Sequence, residues 1–561
     1  MSPWSPRPPS STCLAEIALA VALAACHSPG VGETGEPEIN PCPGEQPCAH
    51  PLGGLLFGPG QVALYSDHDD AEIRYTTDGS LPDAQSALAH GPIDVDESTR
   101  VRAVLVREGV VGPLWSTAWL VVDPDLEGFS SNLPLVVMDS FGHDIDAESG
   151  SESDRPSWPR REVYAVFFDA ADGGRAALSA TPDFVGRAGV KVRGNSSQIL
   201  PKKQYSLETW DEGDDDLDVA LLGMPAESDW VLHAPYSDKT LMRNHLAYSW
   251  TRAMGFSAMR TRHVEVIFDQ DGGRVGWDDY RGVYLLTEKI KRGPHRVDIA
   301  NLRPEDTSEP EISGGYIFKH DIPDEDEERW RSSAGRGGFI HVDPDDEDIT
   351  QAQHDWLLAH LDGFEAALFD APDADWRDWA DQDSFIHYHL FTEALKNADS
   401  SYASRYWHKD REGKLIAGPI WDWNVSMGAT SDWDCFEPTG FHYLEVPHFW
   451  YGQLLEDPDF EAAWLARWWE LREGRLATDA VLADIDATVA LLLEAQARNF
   501  ERWPILGEHI DELPHVNWPG WEDRDTYEAE VDWMKSWLET RLAWLDAELA
   551  AGGLPSDSDD L

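Results

Sequence analysis

Between residues 56 and 122, short runs at 62–65, 73–76, 93–95 and 101–106 alternate apolar and polar side chains, and turn residues such as Asp78-Gly79 and Gly91-Pro92 separate them. A period of two marks half-buried strands, and turns at this spacing predict a small all-β sandwich. After a linker near 123–132, segments 133–138 and 163–168 read as strands and 239–254 as a helix with a rough apolar stripe. Residues 350–369 give a clearer amphipathic helix through Trp356, Leu357, Leu361, Phe364 and Leu368, and beyond Pro458 the pattern is mostly helical. The expectation is a β-sandwich followed by a larger α+β part.

A chain of 561 residues suits two or three domains, and two is the working number. Its 104 acidic and 44 basic residues give a net charge of -60, a far field that repels nucleic acid and anionic lipid. The acids fall in many short runs, such as Asp214-Asp215-Asp216 and those at 324–328 and 343–348. None has an EF-hand pattern, so they read as solvated loops. Most of the 26 tryptophans read as core.

The N-terminus carries Arg7, a mostly apolar stretch over 14–25 interrupted by Glu16, and Leu23-Ala24-Ala25-Cys26, which resembles a bacterial lipoprotein cleavage box. Residues 1–26 are therefore expected to be a signal peptide and Cys26 a lipidated mature N-terminus. This would make the chain an exported cell-envelope lipoprotein, at the outer membrane or cell surface, that touches membrane only through its lipid. Residues 27–50, rich in Pro, Gly, Glu and Ser, read as a tether, and 551–561 as an acidic tail. A Cys42–Cys48 disulfide fits an oxidising compartment, and Cys435 reads as structural.

The run Tyr75-Thr76-Thr77-Asp78-Gly79-Ser80-Leu81-Pro82, followed by Gly91-Pro92-Ile93, resembles the β-sandwich appended to chitobiases and many bacterial surface enzymes. The resemblance covers about 51–124, brings no catalytic pair, and suggests a spacer more than a sugar-binding module.

Three segments invite phosphate chemistry. Gly189 to Arg193 reads as a strand entering the small-residue loop Gly194-Asn195-Ser196-Ser197, with Lys202-Lys203 on the strand that follows. Such a loop can cradle phosphate oxygens while a Lys neutralises them. Arg281 to Lys289 is an apolar strand ending in polar Glu288, whose edge could meet an adenine. Asp399 and Asp422 flank an expected hairpin. One carboxylate could serve an acceptor hydroxyl and the other magnesium, with Asn424 on the same side of an extended segment as Asp422.

Together with Ser228-Asp229-Trp230-Val231-Leu232, Ala234-Pro235-Tyr236-Ser237-Asp238-Lys239, Leu241-Met242-Arg243-Asn244, Gly314-Gly315-Tyr316-Ile317-Phe318-Lys319 and the stretch from Gly418 to Gly428, these segments resemble the CotH kinase family, over about 131–550. The resemblance implies an atypical protein-kinase-like, two-lobed domain with a mainly helical C-terminal part. It implies transfer of phosphate from ATP, with Mg²⁺, to Ser of an acceptor surface protein. On that basis Asp399 is the expected catalytic acid and Asp422 with Asn424 the metal ligands. Arg193, Asn195, Ser196, Lys203, Arg243 and Glu288 are the expected nucleotide-side residues. Lys203 is preferred to Lys202 because it would share a strand face with Tyr205 and Leu207.

Departures from ordinary protein kinases include the lack of His-Arg before Asp399, Ser404 where a catalytic-loop Asn would stand, and Trp423-Asn424 after Asp422. No Glu on the 239–254 helix can pair with Lys203. Two other readings remain: an inactive kinase-like structural or adhesive surface protein, and a carbohydrate-active one. ATP scarcity outside the cytoplasm motivates the former, and the sandwich and tryptophans the latter.

Overall fold

The computed structural model describes residues 42, 44–148, 159–170, 174–324, 327–371, 374–444 and 450–555. The expected signal peptide with Cys26, most of the tether, and the end of the acidic tail lie outside the described residues. Cys42 and Cys48 are joined in a disulfide, and Cys435 is buried outside that disulfide.

The N-terminal region is a two-sheet, all-β unit. One sheet pairs Cys48–His50, Gly60–Tyr65 and Ile93–Val95. The other runs Gly54–Phe57, Trp115–Val122, Thr99–Arg107, Glu72–Thr76, Ala87–Leu88, with Val110–Val111 attached to Thr99–Arg107. Alternate residues Val62, Val95, Val101, Ala103, Trp119 and Val121 fill the space between the sheets.

The next unit is a closed seven-stranded barrel. Its strands are β1 (Leu135–Asp139), β2 (Arg161–Phe168), β3 (Phe184–Arg193), β4 (Gln204–Thr209), β5 (Asp229–His233), β6 (Thr261–Asp269) and β7 (Tyr280–Glu288), with helix α1 (Arg243–Ala253) between β5 and β6. Neighbours are antiparallel except at the seam, where β1 and β6 pair in parallel with Asp139 opposite Asp269.

The unbroken apolar run of β1 follows from burial on both faces. Val136 and Met138 point into the barrel with Val163, Ala165 and Phe167 of β2. Leu135 and Val137 point outward with Tyr164 and Val166, against Ala118, Leu120 and Val122 of the sandwich. The same junction is tied by Glu162, which takes Arg100 at 2.8 Å, Arg102 at 3.2 Å and Arg187 at 2.9 Å.

The expected helix at 239–254 begins only at Arg243. Asp238 accepts the backbone N–H groups of Thr240 and Arg243, at 3.1 and 2.8 Å, and Leu241 takes a left-handed φ of 63°. Residues 238–242 are thus a capping loop, and Asp238 does the capping.

A second, antiparallel sheet contains β8 (Tyr316–His320), β9 (Trp330–Arg331), β10 (Gly337–Asp343), β11 (Arg405–Lys409) and β12 (Leu415–Ala417), in the order β9-β10-β8-β11-β12. Around it lie α2 (Gln351–Glu365), α3 (Gln382–Leu395), α4 (Tyr451–Leu455), α5 (Pro458–Arg472), α6 (Thr478–Arg502) and α7 (Tyr527–Gly552). Thr350 opens α2 with a reciprocal capping box to Gln353, and a short π turn over Ala366–Asp370 closes it.

Trp423, Trp450, Trp464 and Trp468 are fully buried in the core that joins these helices to the sheet. As aromatic side chains of this size, they carry much of its apolar burial. Among the described residues no helix is long and apolar enough to cross a membrane.

Candidate active site

A cavity of about 570 Å³ opens between the end of β3, the loop after it, the end of β8, and the turns that follow α3 and β12. Lys191 and Arg193, two apart on β3, share one strand face and both line it. The chain then turns at Gly194, whose φ is 103°. A Cβ there would lie 2.0 Å from Ser197 Oγ, so a side chain at this left-handed position is strained and would displace the Ser197 hydroxyl.

Asn195 and Ser196 also line the cavity. Asn195 Nδ2 is buried and has no hydrogen-bond partner among the described residues.

Asp399 and Asp422 reach the cavity from two different turns. Asp399 sits in the 3₁₀ turn Ala398–Ser401, after α3 ends on left-handed Lys396, and its backbone oxygen accepts from Ala403 at 2.8 Å. The expected hairpin between the two acids forms as β11 and β12.

Asp422 itself is left-handed, with φ 57°, so the segment to Asn424 is a tight turn and not extended. Asn424 still lines the cavity, and its Oδ1 is buried without a partner among the described residues. It comes to the same wall by the turn's curvature, not by strand alternation.

Three contacts hold that turn. Tyr248 OH accepts the Asp422 N–H at 3.0 Å, Asn244 Oδ1 accepts the Trp423 N–H at 2.6 Å, and Arg243 Nε donates to Ser426 O at 3.0 Å.

Burial raises both Asp399 and Asp422 above the usual carboxylate range. The charge of Asp422 pushes Asp399 further up, while the Tyr402 hydroxyl pulls it back. For Asp422, Arg193 works in the lowering direction and Asp321 in the raising one. The Arg193 guanidinium lies 5.6 Å from the centre of the Trp421 ring.

The Asp422 carboxylate and the orphaned Asn424 amide oxygen form an all-oxygen donor pair that suits a hard cation such as Mg²⁺, with the second carboxylate, Asp399, left beside it. Among the described residues no three His, Cys, Asp or Glu side chains stand close enough to hold a metal alone. Mg²⁺ is commonly held by one or two carboxylates together with substrate phosphates.

Three expected residues stand elsewhere. Lys203 precedes β4, so strand alternation does not govern it, and its Nζ donates to Gln198 O at 2.6 Å, bracing the loop from outside the cavity. Tyr205 and Leu207, the face Lys203 was assigned to, point into the barrel, while Gln204 lines the cavity. Lys202 is no substitute, since its buried Nζ donates to Asn499 Oδ1 at 2.8 Å.

Arg243 is fully buried and paired with Asp238, where it supports the Asp422 turn from behind. Glu288 is buried in ion pairs with Arg260 and Arg296, at the far end of β7.

Lys191, Gln204, His233, Lys319, Asp321 and Tyr402 line the cavity without having been singled out for it. For Lys191 the signal was present, as a second basic residue on the face of Arg193. For Asp321 it was faint, a single acid immediately after the strand Tyr316–His320.

The class of molecule is therefore an α+β protein with a deep polar cavity, lined by a glycine-turned loop and paired carboxylates, preceded by an all-β module. The model of the CotH kinase protein family matches residues 190–545, more than half of the chain, and the chain belongs to that family. The chitobiase/β-hexosaminidase C-terminal domain model matches residues 51–112. No curated protein matches the chain.

Proposed function

We propose that the chain is an exported atypical protein kinase that transfers phosphate from ATP to Ser of a surface protein. In this reading the barrel and the helical part act as the two lobes of a kinase-like cleft. The observation that carries it is the convergence of Arg193, Asn195, Ser196, Asp399, Asp422 and Asn424 on a single cavity.

Arg193 and Lys191 bring positive charge to the phosphates, and the loop amides at 194–197 cap them. Asp422 and Asn424 offer oxygen ligands to Mg²⁺, which when bound neutralises phosphate charge. Asp399 takes the proton from the acceptor hydroxyl as its oxygen bonds to the γ-phosphorus and the bond to the β,γ-bridging oxygen breaks.

A second reading, a kinase-like scaffold without transfer, is favoured by one observation: both lysines beside the loop are engaged in structural bonds. Calorimetric titration of ATP with Mg²⁺ into the purified protein and its Asp422→Ala variant separates the two. Magnesium-dependent binding lost in a folded variant supports the kinase; no binding by the folded parent protein moves the conclusion to the scaffold.

A further inference from the structure

Four hydrogen bonds run unbroken from the loop over the cavity to the turn that carries Asp422. Gln204 Nε2 donates to Ser197 Oγ at 2.7 Å, and Gln204 Oε1 lies 2.7 Å from His233 Nδ1. His233 Nε2 lies 3.3 Å from Asn244 Nδ2, and Asn244 Oδ1 accepts the Trp423 N–H at 2.6 Å.

Each bond's direction is dictated by its neighbours. Gln204 gives its NH₂ to Ser197, so its oxygen accepts and Nδ1 of His233 carries the proton. The neutral ring then has only Nε2 as an acceptor, which takes the Asn244 NH₂ and leaves the Asn244 oxygen for Trp423. A second proton on His233 would set donor against donor at Asn244. Burial, reinforced by the positive charge of Arg193, pushes the His233 pKa down to about 3, so the ring stays neutral.

All three linking side chains are buried. At the far end Asn244 and Tyr248, four apart on α1, hold the amides of two consecutive residues, Trp423 and left-handed Asp422.

We infer that Gln204, His233 and Asn244 are positioning residues that couple the 194–197 loop to the Asp422 turn, so that a ligand seated on one sets the other. The functional consequence rests on the kinase reading of the cavity, whereas the coupling itself rests on the geometry alone.

The test uses the full chain and two variants, after thermal unfolding has shown that each folds. Gln204→Leu cuts the chain two links from Trp423, and backbone hydrogen exchange over 418–428 should lose about tenfold in protection without any ligand; Ser197→Ala serves if that variant does not fold.

Asn244→Asp keeps an acceptor for Trp423 and, while the Gln204 oxygen holds the first ring proton on Nδ1, can bond to His233 only when the ring gains a second proton. Its protection over 418–428, and its affinity for Mg-ATP, should then be greater at pH 5.5 than at pH 8, while the parent protein is flat. Unchanged protection in the first variant together with a flat profile in the second overturns the coupling. If protection couples as expected but the parent protein binds no Mg-ATP, the kinase reading falls and the coupling stands.

Discussion

Tyr402 donates its hydroxyl to Asp399 Oδ1 at 2.8 Å, across the turn that both residues share, while 43% of Tyr402 remains exposed at the cavity mouth. If Asp399 is the proton acceptor, the phenol occupies the place an acceptor hydroxyl needs. Tyr402→Phe should lower the KM for the acceptor by about two- to tenfold, the net worth of one hydrogen bond.

The same substitution should move the pH dependence. The Tyr402 bond favours ionised Asp399, so its loss raises an already raised carboxyl pKa. The base works deprotonated, and the rising limb of the pH–rate profile should shift to higher pH. A shift to lower pH would remove Asp399 from the role.

Asp399→Asn retains the side chain's shape and removes its basicity. Phosphate transfer should fall by about 10²- to 10⁴-fold, while calorimetric affinity for Mg-ATP changes little. Equal loss of both would show that Asp399 holds the nucleotide instead.

Gly194→Ala should destabilise the loop, because the left-handed turn disfavours a side chain and the new Cβ meets Ser197 Oγ. The cost should be about 1–3 kcal/mol in denaturant unfolding, with Mg-ATP affinity reduced in the same variant.

Asp139 offers a test of stability away from the cavity. It is fully buried opposite Asp269, and burial, then the charge of Asp269, raise its pKa to about 7. The unfolded chain releases this proton near the ordinary carboxylate value, so the folded protein holds an extra proton between about pH 4 and pH 7. Stability contributed by this site should fall as pH rises through that window and level off above it. Asp139→Asn, which can still accept the Phe141 N–H, should be more stable than the parent protein at pH 8 and show a flatter pH profile in thermal unfolding.

Much of the outline was legible in the chain. The sandwich strands, the hairpin between Asp399 and Asp422, and the helix capped by Thr350 all follow from local alternation, turn residues and caps. The barrel seam was not legible, because the parallel pairing of Leu135–Asp139 with Thr261–Asp269 joins segments far apart in sequence, and alternation carries no information on partners.

At the cavity the loop and both acids could be found by residue type and spacing. Lys203 was misplaced because a strand face was extended one residue before the strand begins. His233 and Asn244 were invisible as links, since a buried hydrogen-bond chain depends on which elements pack together and not on any local pattern.

The packing of Leu120 and Val122 against Leu135, Val137 and Val166 has a consequence for how this molecule can be divided. Two family models match the chain as separate pieces. Here, however, the strand Trp115–Val122 is packed onto the outer face of the barrel, and Glu162 ties the junction to Arg100 and Arg102. What two family models match separately, folding packs as one. A truncation made at the boundary between them would cut through a core, leaving the larger part with an open apolar flank and a tendency to aggregate.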